Sequence, residues 1–255
     1  MQRVMIAMAM SINPDFIVAD EITTGLDAGT KMDILNLLAS FQKTEGFSVL
    51  LISHDLKSIQ KYCDRIAVLQ SGEIVRVGSK KSIIQNLKDS YNIAIKKNKR
   101  ENTEKERNLV LDVKNLYKSY GSGRNSIPAL KNITFTLCKG ETLGIIGESG
   151  SGKTTLVKTI LNILKRDSGD LFFNEYFEDK SIMDLNRNIG AVFQDSQGSL
   201  NPKMKIFDIL SEPLTLLGYK NGQKKKEKIL IQLKRVQLDN NMLELYPNAL
   251  SGGQR

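Results

Sequence analysis

The sequence has little of the chemistry that marks secreted, metal-binding or membrane-spanning proteins. Its 255 residues include two cysteines, Cys63 and Cys138, and one histidine, His54. The cysteines lie far apart and have no histidine beside them, so we expect two buried core thiols and neither a disulfide framework nor a metal site. No apolar run approaches the roughly 18 residues that span a bilayer, and no signal-like segment opens the chain. These absences predict a soluble, cytoplasmic protein, unless a partner holds it at a membrane.

Negative charge is the scarcer sign, and the formal net charge is +9 at pH 7. Such an excess occurs in proteins that bind nucleic acid, anionic lipid or nucleotide phosphates. Here the lysines are spread over several polar stretches, which favours a solvated basic surface. The most basic stretch, residues 219–236, carries Ile229, Leu230 and Leu233 on one face and is interpreted as a surface helix. We predict no nucleic-acid partner.

The composition divides the chain at residues 96–108, "KKNKRENTEKERN", which contain no apolar side chain. Such a stretch cannot bury surface to offset the entropy of ordering it and is predicted to be a linker. Before it, short apolar strands alternate with helices, which predicts a mainly parallel sheet covered on both faces. A hairpin is predicted to turn at Ser71 and Gly72. After the linker, the alternating runs "LVLDVKNLYKSY" and "NITFTLCKGETLGIIG", the second of which starts at Asn132, predict an antiparallel layer that leads into a buried strand at residues 142–146.

A phosphate-binding loop follows this buried strand. The segment "GESGSGKTT" has the form G-x-x-x-x-G-K-T between a strand and the predicted helix "LVKTILNILK", which starts at Leu156. Glycines let backbone N–H groups curl around phosphate oxygens, and the positive end of the helix adds its field. Lys153 is expected to reach the β- and γ-phosphates of a nucleotide, and the Thr154 hydroxyl to bind Mg²⁺. The residues expected to contact the nucleotide are Gly147, Glu148, Ser149, Gly150, Ser151, Gly152, Lys153, Thr154 and Thr155.

Acidic and imidazole groups that suit nucleotide hydrolysis follow two other apolar strands. "FIVADE" places Asp20 at a strand tip, where it is expected to hold Mg²⁺ through water, and Glu21 next to it, where it can polarise the attacking water. "LLISHD" places His54 at the end of another strand, the edge at which parallel sheets bind ligands. There its imidazole is expected to contact a γ-phosphate.

Together these motifs resemble those of the ATP-binding cassette (ABC) family, and the resemblance covers nearly the whole chain. Lys153 and its glycines match the family's Walker A loop. Asp20 and Glu21 match the Walker B strand with its catalytic acid, and His54 matches the switch histidine. The resemblance implies a P-loop α/β fold with an antiparallel β-layer and a helical subdomain.

Three further segments carry the resemblance. It implies that Gln194, in "AVFQD", contacts Mg²⁺ and links the site to membrane subunits, and that Tyr120 stacks on adenine. It also implies that Ser251, Gly252 and Gly253, in "LSGGQR", contact the γ-phosphate bound by a partner domain.

The motifs stand in an order that differs from the family's, because Asp20 and His54 precede Lys153. In the family, "MQRVMIAMAM" is the type of segment that follows a signature such as "LSGGQR". We therefore interpret residues 1–95 as the C-terminal half of one ATPase domain, 96–108 as a charged linker and 109–255 as the N-terminal half of a second. On this interpretation the chain is a fragment of a tandem two-ATPase polypeptide.

The family's sheet predicts how these halves combine. Its Walker A strand lies between the strand that leads to the switch histidine and the strand after it, here "SVLLIS" and "RIAVL". We predict one composite cassette in permuted order, and the alternative is two separate half-domains. In the composite cassette one nucleotide is surrounded by Asp20, Glu21, His54, Lys153, Thr154 and Gln194.

Within the family, "FQDSQGSLNPKM" and "YPNALSGGQR" are similar to segments of the ATPases of peptide and nickel importers. The resemblance implies Mg²⁺-dependent ATP hydrolysis that energises import of a peptide, nickel or a metal chelate. The implied partners are a second ABC ATPase domain, two membrane permease subunits and an extracytoplasmic solute-binding protein, with the chain peripheral on the cytoplasmic face of the inner membrane. Two alternatives stay open: a soluble tandem ATPase of the translation-factor type, and a truncated chain without activity.

Overall fold

The computed structural model describes residues 1–89, 108–121, 123–173, 176–177, 188–194 and 198–250. They belong to two compact units, one made of residues 1–45 and 183–255 and the other of residues 46–182. The predicted linker, residues 96–108, lies outside the described residues except for Asn108. Within the described ranges, no helix combines the length and the apolar character needed to cross a lipid bilayer.

Helices and strands alternate in the first part of the chain, and strands dominate the middle. The described α-helices are α1 (Gln2–Ser11), α2 (Ala28–Glu45), α3 (Leu56–Tyr62), α4 (Lys80–Asp89), α5 (Lys153–Ile160), α6 (Ile206–Leu216) and α7 (Gly222–Arg235). The described strands are β1 (Phe16–Asp20), β2 (Ser48–Ser53), β3 (Arg65–Gln70), β4 (Glu73–Ser79), β5 (Leu109–Tyr120), β6 (Ile127–Cys138), β7 (Thr142–Ile146), β8 (Ser168–Phe173), β9 (Tyr176–Phe177) and β10 (Ile189–Val192).

The first unit pairs a strand from the start of the chain with one from its second half. Every residue of β1 is buried, as its apolar run predicts. β1 pairs in parallel with β10, with Phe16 opposite Ile189 and Ala19 opposite Val192. Helix α1 packs on β10 and on α6 and α7. Residues on both sides of the predicted linker therefore share one core.

The helices of this unit are held by caps and by an amphipathic face. The Asp27 carboxylate accepts hydrogen bonds from the N–H groups of Gly29 and Thr30, and from the Thr30 hydroxyl at 2.6 Å, at the start of α2. These bonds, that from the Thr30 hydroxyl first, lower the pKa of Asp27. Helix α7 buries Ile229 and Leu233 and leaves most of its lysines exposed, so the surface-helix interpretation is confirmed.

In the second unit, four adjacent strands of a sheet lie in the order β2, β7, β3, β4. β7 pairs in parallel with β2 on one side, where Leu50 lies opposite Leu143, and with β3 on the other, where Ile66 lies opposite Gly144. The strand before the phosphate loop thus lies between "SVLLIS" and "RIAVL", as predicted. In this unit too, segments from both sides of the linker form one sheet.

Two other predictions are confirmed in the second unit. β6, β5, β8 and β9 form the expected antiparallel layer. β4 pairs antiparallel with β3, and their hairpin turns at Ser71 and Gly72, which have φ values of 49° and 81°. Two consecutive positive φ values are those of the type I′ turn that suits a twisted hairpin. The Gly72 N–H donates to the Ser151 carbonyl at 3.0 Å, so the turn braces the phosphate loop.

Both cysteines are buried, as predicted. Burial, together with the nearby Asp64, raises the pKa of the Cys63 thiol to about 12. Cys63 lies where α3 packs on β7, and the contact is close because residue 144 is glycine. A Cβ atom there would lie 2.7 Å from Cys63 Sγ and 2.8 Å from Ile59 Cδ1.

Candidate functional site

The loop between β7 and α5 requires glycine at three positions. Gly150 and Gly152 have φ values of 79° and 107°, in the left-handed region that other residues rarely adopt. Gly147 allows the closest approach, since a Cβ atom there would lie 2.4 Å from the Leu69 carbonyl oxygen and 2.5 Å from Ser151 Oγ. The glycines of the motif are therefore explained by the path of this backbone.

The loop wraps around the ammonium group of Lys153. This side chain is 7% exposed, and its Nζ donates to the carbonyl oxygens of Gly147 and Glu148, each at 2.9 Å. The lysine is thus held inside the loop that precedes its helix. A cation at this point suits an anionic ligand in the same loop.

Two observations show that the loop fits a phosphate group. Ser151 Oγ is buried and has no hydrogen-bond partner among the described residues. The N-cap of α5 is Gly152, which supplies no side-chain acceptor for the first N–H groups of the helix. Buried hydroxyls and helix N-termini normally find partners, and a phosphate oxygen would serve both.

The aromatic residue expected to stack on adenine lies beside this helix. Tyr120 is the last residue of β5 and is 47% exposed, so one part of its ring is open to a ligand. Its hydroxyl lies 3.2 Å from Thr155 Oγ1, in the first turn of α5. Thr154, the expected Mg²⁺ ligand of the loop, is exposed, as are Glu148 and Ser149.

His54 lies at the same edge of the sheet as the loop. It follows Ser53, which is in register with Ile146, the last residue before the loop. Ser53 Oγ accepts a hydrogen bond from the Asp55 N–H at 2.9 Å, and Asp55 in turn caps α3. The exposed imidazole is therefore carried on a turn that is fixed on both sides.

The first unit brings the two expected acids to one edge with Gln194. Asp20 follows the pair formed by Ala19 and Val192, and Gln194 lies two residues after Val192, beyond the end of the neighbouring strand β10. Asp20 is 4% exposed. Glu21 has a φ of 46°, a strained value for a residue with a side chain, and accepts a hydrogen bond from the Thr24 hydroxyl at 3.3 Å.

The predicted site residues thus fall into two groups, one in each unit. The second unit assembles His54, Tyr120 and the loop, and the first assembles Asp20, Glu21 and Gln194. That both groups surround one nucleotide stays a prediction. Ser251, Gly252 and Gly253 lie outside the described residues. Among described residues, no group of three or more His, Cys, Asp or Glu side chains forms a metal site.

Two residues near Tyr120 were missed by sequence reasoning. Ile127 lies opposite Tyr120 in the β5–β6 ladder and is 70% exposed, which leaves an apolar side chain beside the ring. Asp167 binds the two residues before Tyr120 through its carboxylate. Ile127 could have been found only from the hairpin register, and Asp167 carries no motif that singles it out.

Comparison with known proteins relates this sequence to a family. Residues 130–255 match the family described as ABC transporter. The chain is 31% identical to the glutathione import ATP-binding protein GsiA of Escherichia coli O6:H1, over 100% of this chain and 47% of the relative. It is 32% identical to the peptidoglycan transport ATP-binding protein YejF of Agrobacterium fabrum, over 100% of this chain and 49% of the relative. The chain therefore spans about half the length of these curated relatives.

A solved structure extends the likeness to the fold. The ATP-binding cassette MJ0796, in a dimeric post-hydrolysis state bound to ADP and Pi, superimposes with a TM-score of 0.50. The match covers 56% of this chain and 64% of that one at 30% identity. The predicted α/β ABC ATPase fold is confirmed, and residues 130–255 carry the domain of the ABC transporter family.

Proposed function

We propose that the chain binds Mg-ATP and hydrolyses it to ADP and phosphate to energise solute import. The observation that carries this proposal is the phosphate loop, with its buried Ser151 hydroxyl and uncapped helix. Lys153 supplies the cation for the β- and γ-phosphates. The ring of Tyr120 supports the base, with Ile127 beside it.

In the proposed reaction, Glu21 takes a proton from a water molecule while the oxygen of that water bonds to the γ-phosphorus. The bond from that phosphorus to the bridging oxygen breaks, and ADP leaves. His54 contacts the γ-phosphate. We assign Mg²⁺ binding to Thr154, Gln194 and Asp20, and the ion would neutralise charge on the phosphates.

The proposed setting is an importer of peptide-sized solutes. It is supported by the names of two relatives, which import glutathione and transport peptidoglycan. Nickel and metal chelates are the other solutes to be tested. The proposed partners are a second ABC ATPase domain, whose signature acts on the nucleotide held here, two permease subunits and a solute-binding protein. The chain would then lie peripherally on the cytoplasmic face of the inner membrane.

Two substitutions separate binding from hydrolysis. Lys153→Ala should weaken Mg-ATP binding at least tenfold in a calorimetric titration, because one charge-assisted contact to the phosphates is lost. Glu21→Gln should keep ATP affinity within about twofold and reduce phosphate release about 100-fold or more. Lys158→Ala, an exposed lysine of α5, is the matched control and should change neither. Equal ATP affinity in the Lys153→Ala variant and the unaltered chain would refute the nucleotide site.

The transport setting needs its own test. The chain, coexpressed with candidate permease pairs, should be captured with one pair in detergent, and the captured complex should hydrolyse ATP faster when solute and binding protein are added. Sedimentation with ribosomes instead would favour the translation-factor alternative.

A further inference from the structure

The end of strand β5, just before Tyr120, is held by a carboxylate from outside the strand. Asp167 Oδ2 accepts hydrogen bonds from the N–H and the hydroxyl of Ser119, each at 2.7 Å. Its Oδ1 accepts from Lys118 Nζ at 2.6 Å. The Asp167 N–H donates to the Tyr117 carbonyl at 3.0 Å. One residue therefore binds three successive positions of β5.

Few hydrogen bonds to neighbouring strands fix β5 at this point. On one side, the pairing of β5 with β8 ends at Tyr117, opposite Ser168. On the other side, Ser119 lies opposite Pro128, which has no N–H to donate, and the register shifts between Lys118 and Ser119. The Ser119 N–H is satisfied by Asp167 rather than by a strand. The carboxylate takes the place of the missing ladder.

The next residue is Tyr120, and the backbone is fixed both before and after it. After it, the chain turns at Gly121, with a φ of 87°, where a Cβ atom would lie 2.6 Å from the Asn125 carbonyl oxygen. Before it, Ser119 is bound to Asp167. The Tyr120 hydroxyl lies beside Thr155, so the ring reaches toward the helix that begins at the phosphate loop.

We propose that Asp167 is a positioning residue for nucleobase binding, which it serves by fixing Ser119 and so the Tyr120 ring against which the base stacks. The inference rests on the proposed ATP site, and Asp167 itself does not touch the nucleotide. The hydrogen bonds from Lys118 and Ser119 lower the pKa of Asp167 to about 2. Its carboxylate therefore stays charged, and the contact intact, between pH 5 and 8.

The test compares ATP with inorganic tripolyphosphate, which has the phosphates but no base. Calorimetric titration of the full chain should show Asp167→Ala weakening ATP binding about threefold to tenfold, the scale of a misplaced stacking contact. Tripolyphosphate binding should not change. Asp167→Asn keeps an acceptor for Ser119, and its ATP affinity should lie between those of the unaltered chain and Asp167→Ala. The control is Asp112→Ala, which removes a carboxylate of strand β5 itself, paired with Lys114 at 3.2 Å, and should leave both affinities unchanged.

A second arm tests whether Asp167 acts through the ring. Tyr120→Ala should weaken ATP binding about tenfold, and adding Asp167→Ala to it should cause no further loss. Additive losses, or equal losses for ATP and tripolyphosphate, would mean a general structural role and overturn the proposal. If the unaltered chain binds ATP no tighter than tripolyphosphate, base stacking fails while the phosphate loop stands. If it binds neither ligand, the proposed function fails and this inference fails with it.

Discussion

The Ser151 hydroxyl is buried in a loop that gives it no partner among the described residues. Burial of an unsatisfied hydroxyl typically costs about 1–3 kcal/mol. Gly147 allows this packing, since a Cβ atom there would lie 2.5 Å from Ser151 Oγ. The free protein therefore holds a destabilising arrangement that a bound phosphate oxygen would relieve.

This arrangement predicts opposite effects of one substitution on stability and on binding. Ser151→Ala should raise the free energy of unfolding of the free chain by about 1 kcal/mol, because the unpaired hydroxyl is gone. The same change should weaken ATP binding about fivefold, because one hydrogen bond to phosphate is lost. Urea unfolding without nucleotide and calorimetry with it measure the two effects.

Ser149→Ala is the comparison for stability, because Ser149 is exposed in the same loop and its removal should leave unfolding unchanged. A loss of stability in Ser151→Ala would show that its hydroxyl is already satisfied in the free chain.

Sequence reasoning identified the residues at the strand tips but not the backbone that presents them. Asp20, Glu21 and His54 were predicted at carboxyl edges because an apolar run ends at each of them, and the structure places them there. The left-handed φ of Glu21 could not be predicted, because glutamate has no preference for that region. The contact of Asp167 with Ser119 joins residues 48 positions apart and leaves no local pattern.

Among the elements, β7 and α3 pack closely because residue 144 of β7 is glycine, whose side chain is a single hydrogen. At Gly144 the helix approaches the strand so closely that a Cβ atom would meet Cys63 and Ile59. The strand is buried between β2 and β3, so it cannot move aside. Any added volume must therefore be taken up by α3.

Gly144→Ala should lower the free energy of unfolding by about 1–3 kcal/mol, as overpacking does in a well-packed core. Because two contacts below 3 Å come from Ile59, the penalty should shrink in an Ile59→Ala background, and a double-mutant cycle in urea measures that coupling. Gly222→Ala, where a Cβ atom meets nothing within 4 Å, should have little effect. An equal penalty for Gly144→Ala in both backgrounds would contradict the steric explanation.

Element types were predicted well, and their ends less well. The helix after the phosphate loop was expected from Leu156 but begins at Lys153, because the left-handed Gly152 forms its N-cap. It ends at Ile160, two residues before Asn162 takes a positive φ. Strand β6 begins at Ile127, five residues earlier than its apolar alternation from Asn132 indicated, because pairing with Tyr120 extends the hairpin. Long-range pairing decides such boundaries, and local pattern does not.

At the scale of the whole molecule, each unit combines segments from both halves of the sequence. Within each unit the parallel strands that pair come from opposite sides of residues 90–107: β1 with β10, and β2 and β3 with β7. This supports the composite cassette over two separate half-domains. The permuted order of motifs was visible in the sequence. The place of β7 between β2 and β3 followed only from the family's strand order, and the pairing of β1 with β10 was not predicted.

If the backbone is cleaved once in this intervening segment, the two fragments should therefore stay associated. A protease site engineered between residues 100 and 101 should give two fragments that coelute in native size-exclusion chromatography, because strands of each fragment are buried against the other. Addition of urea should separate them. Separate elution without denaturant would favour two half-domains, and a site placed in α6 serves as a control that disrupts a packed helix.

The central place of β7 also has a consequence for synthesis. β2 and β3 leave the ribosome with no strand between them, and at 5–20 residues per second the 76 residues from Gln70 to Ile146 take about 4–15 s. During that interval two apolar strand edges are exposed, and exposed edges pair with whatever strand reaches them first. On crowded polysomes that strand can be the β7 of a neighbouring nascent chain. Slow translation of the middle of the message should thus increase the yield of strand-exchanged oligomers, and rapid translation should reduce it.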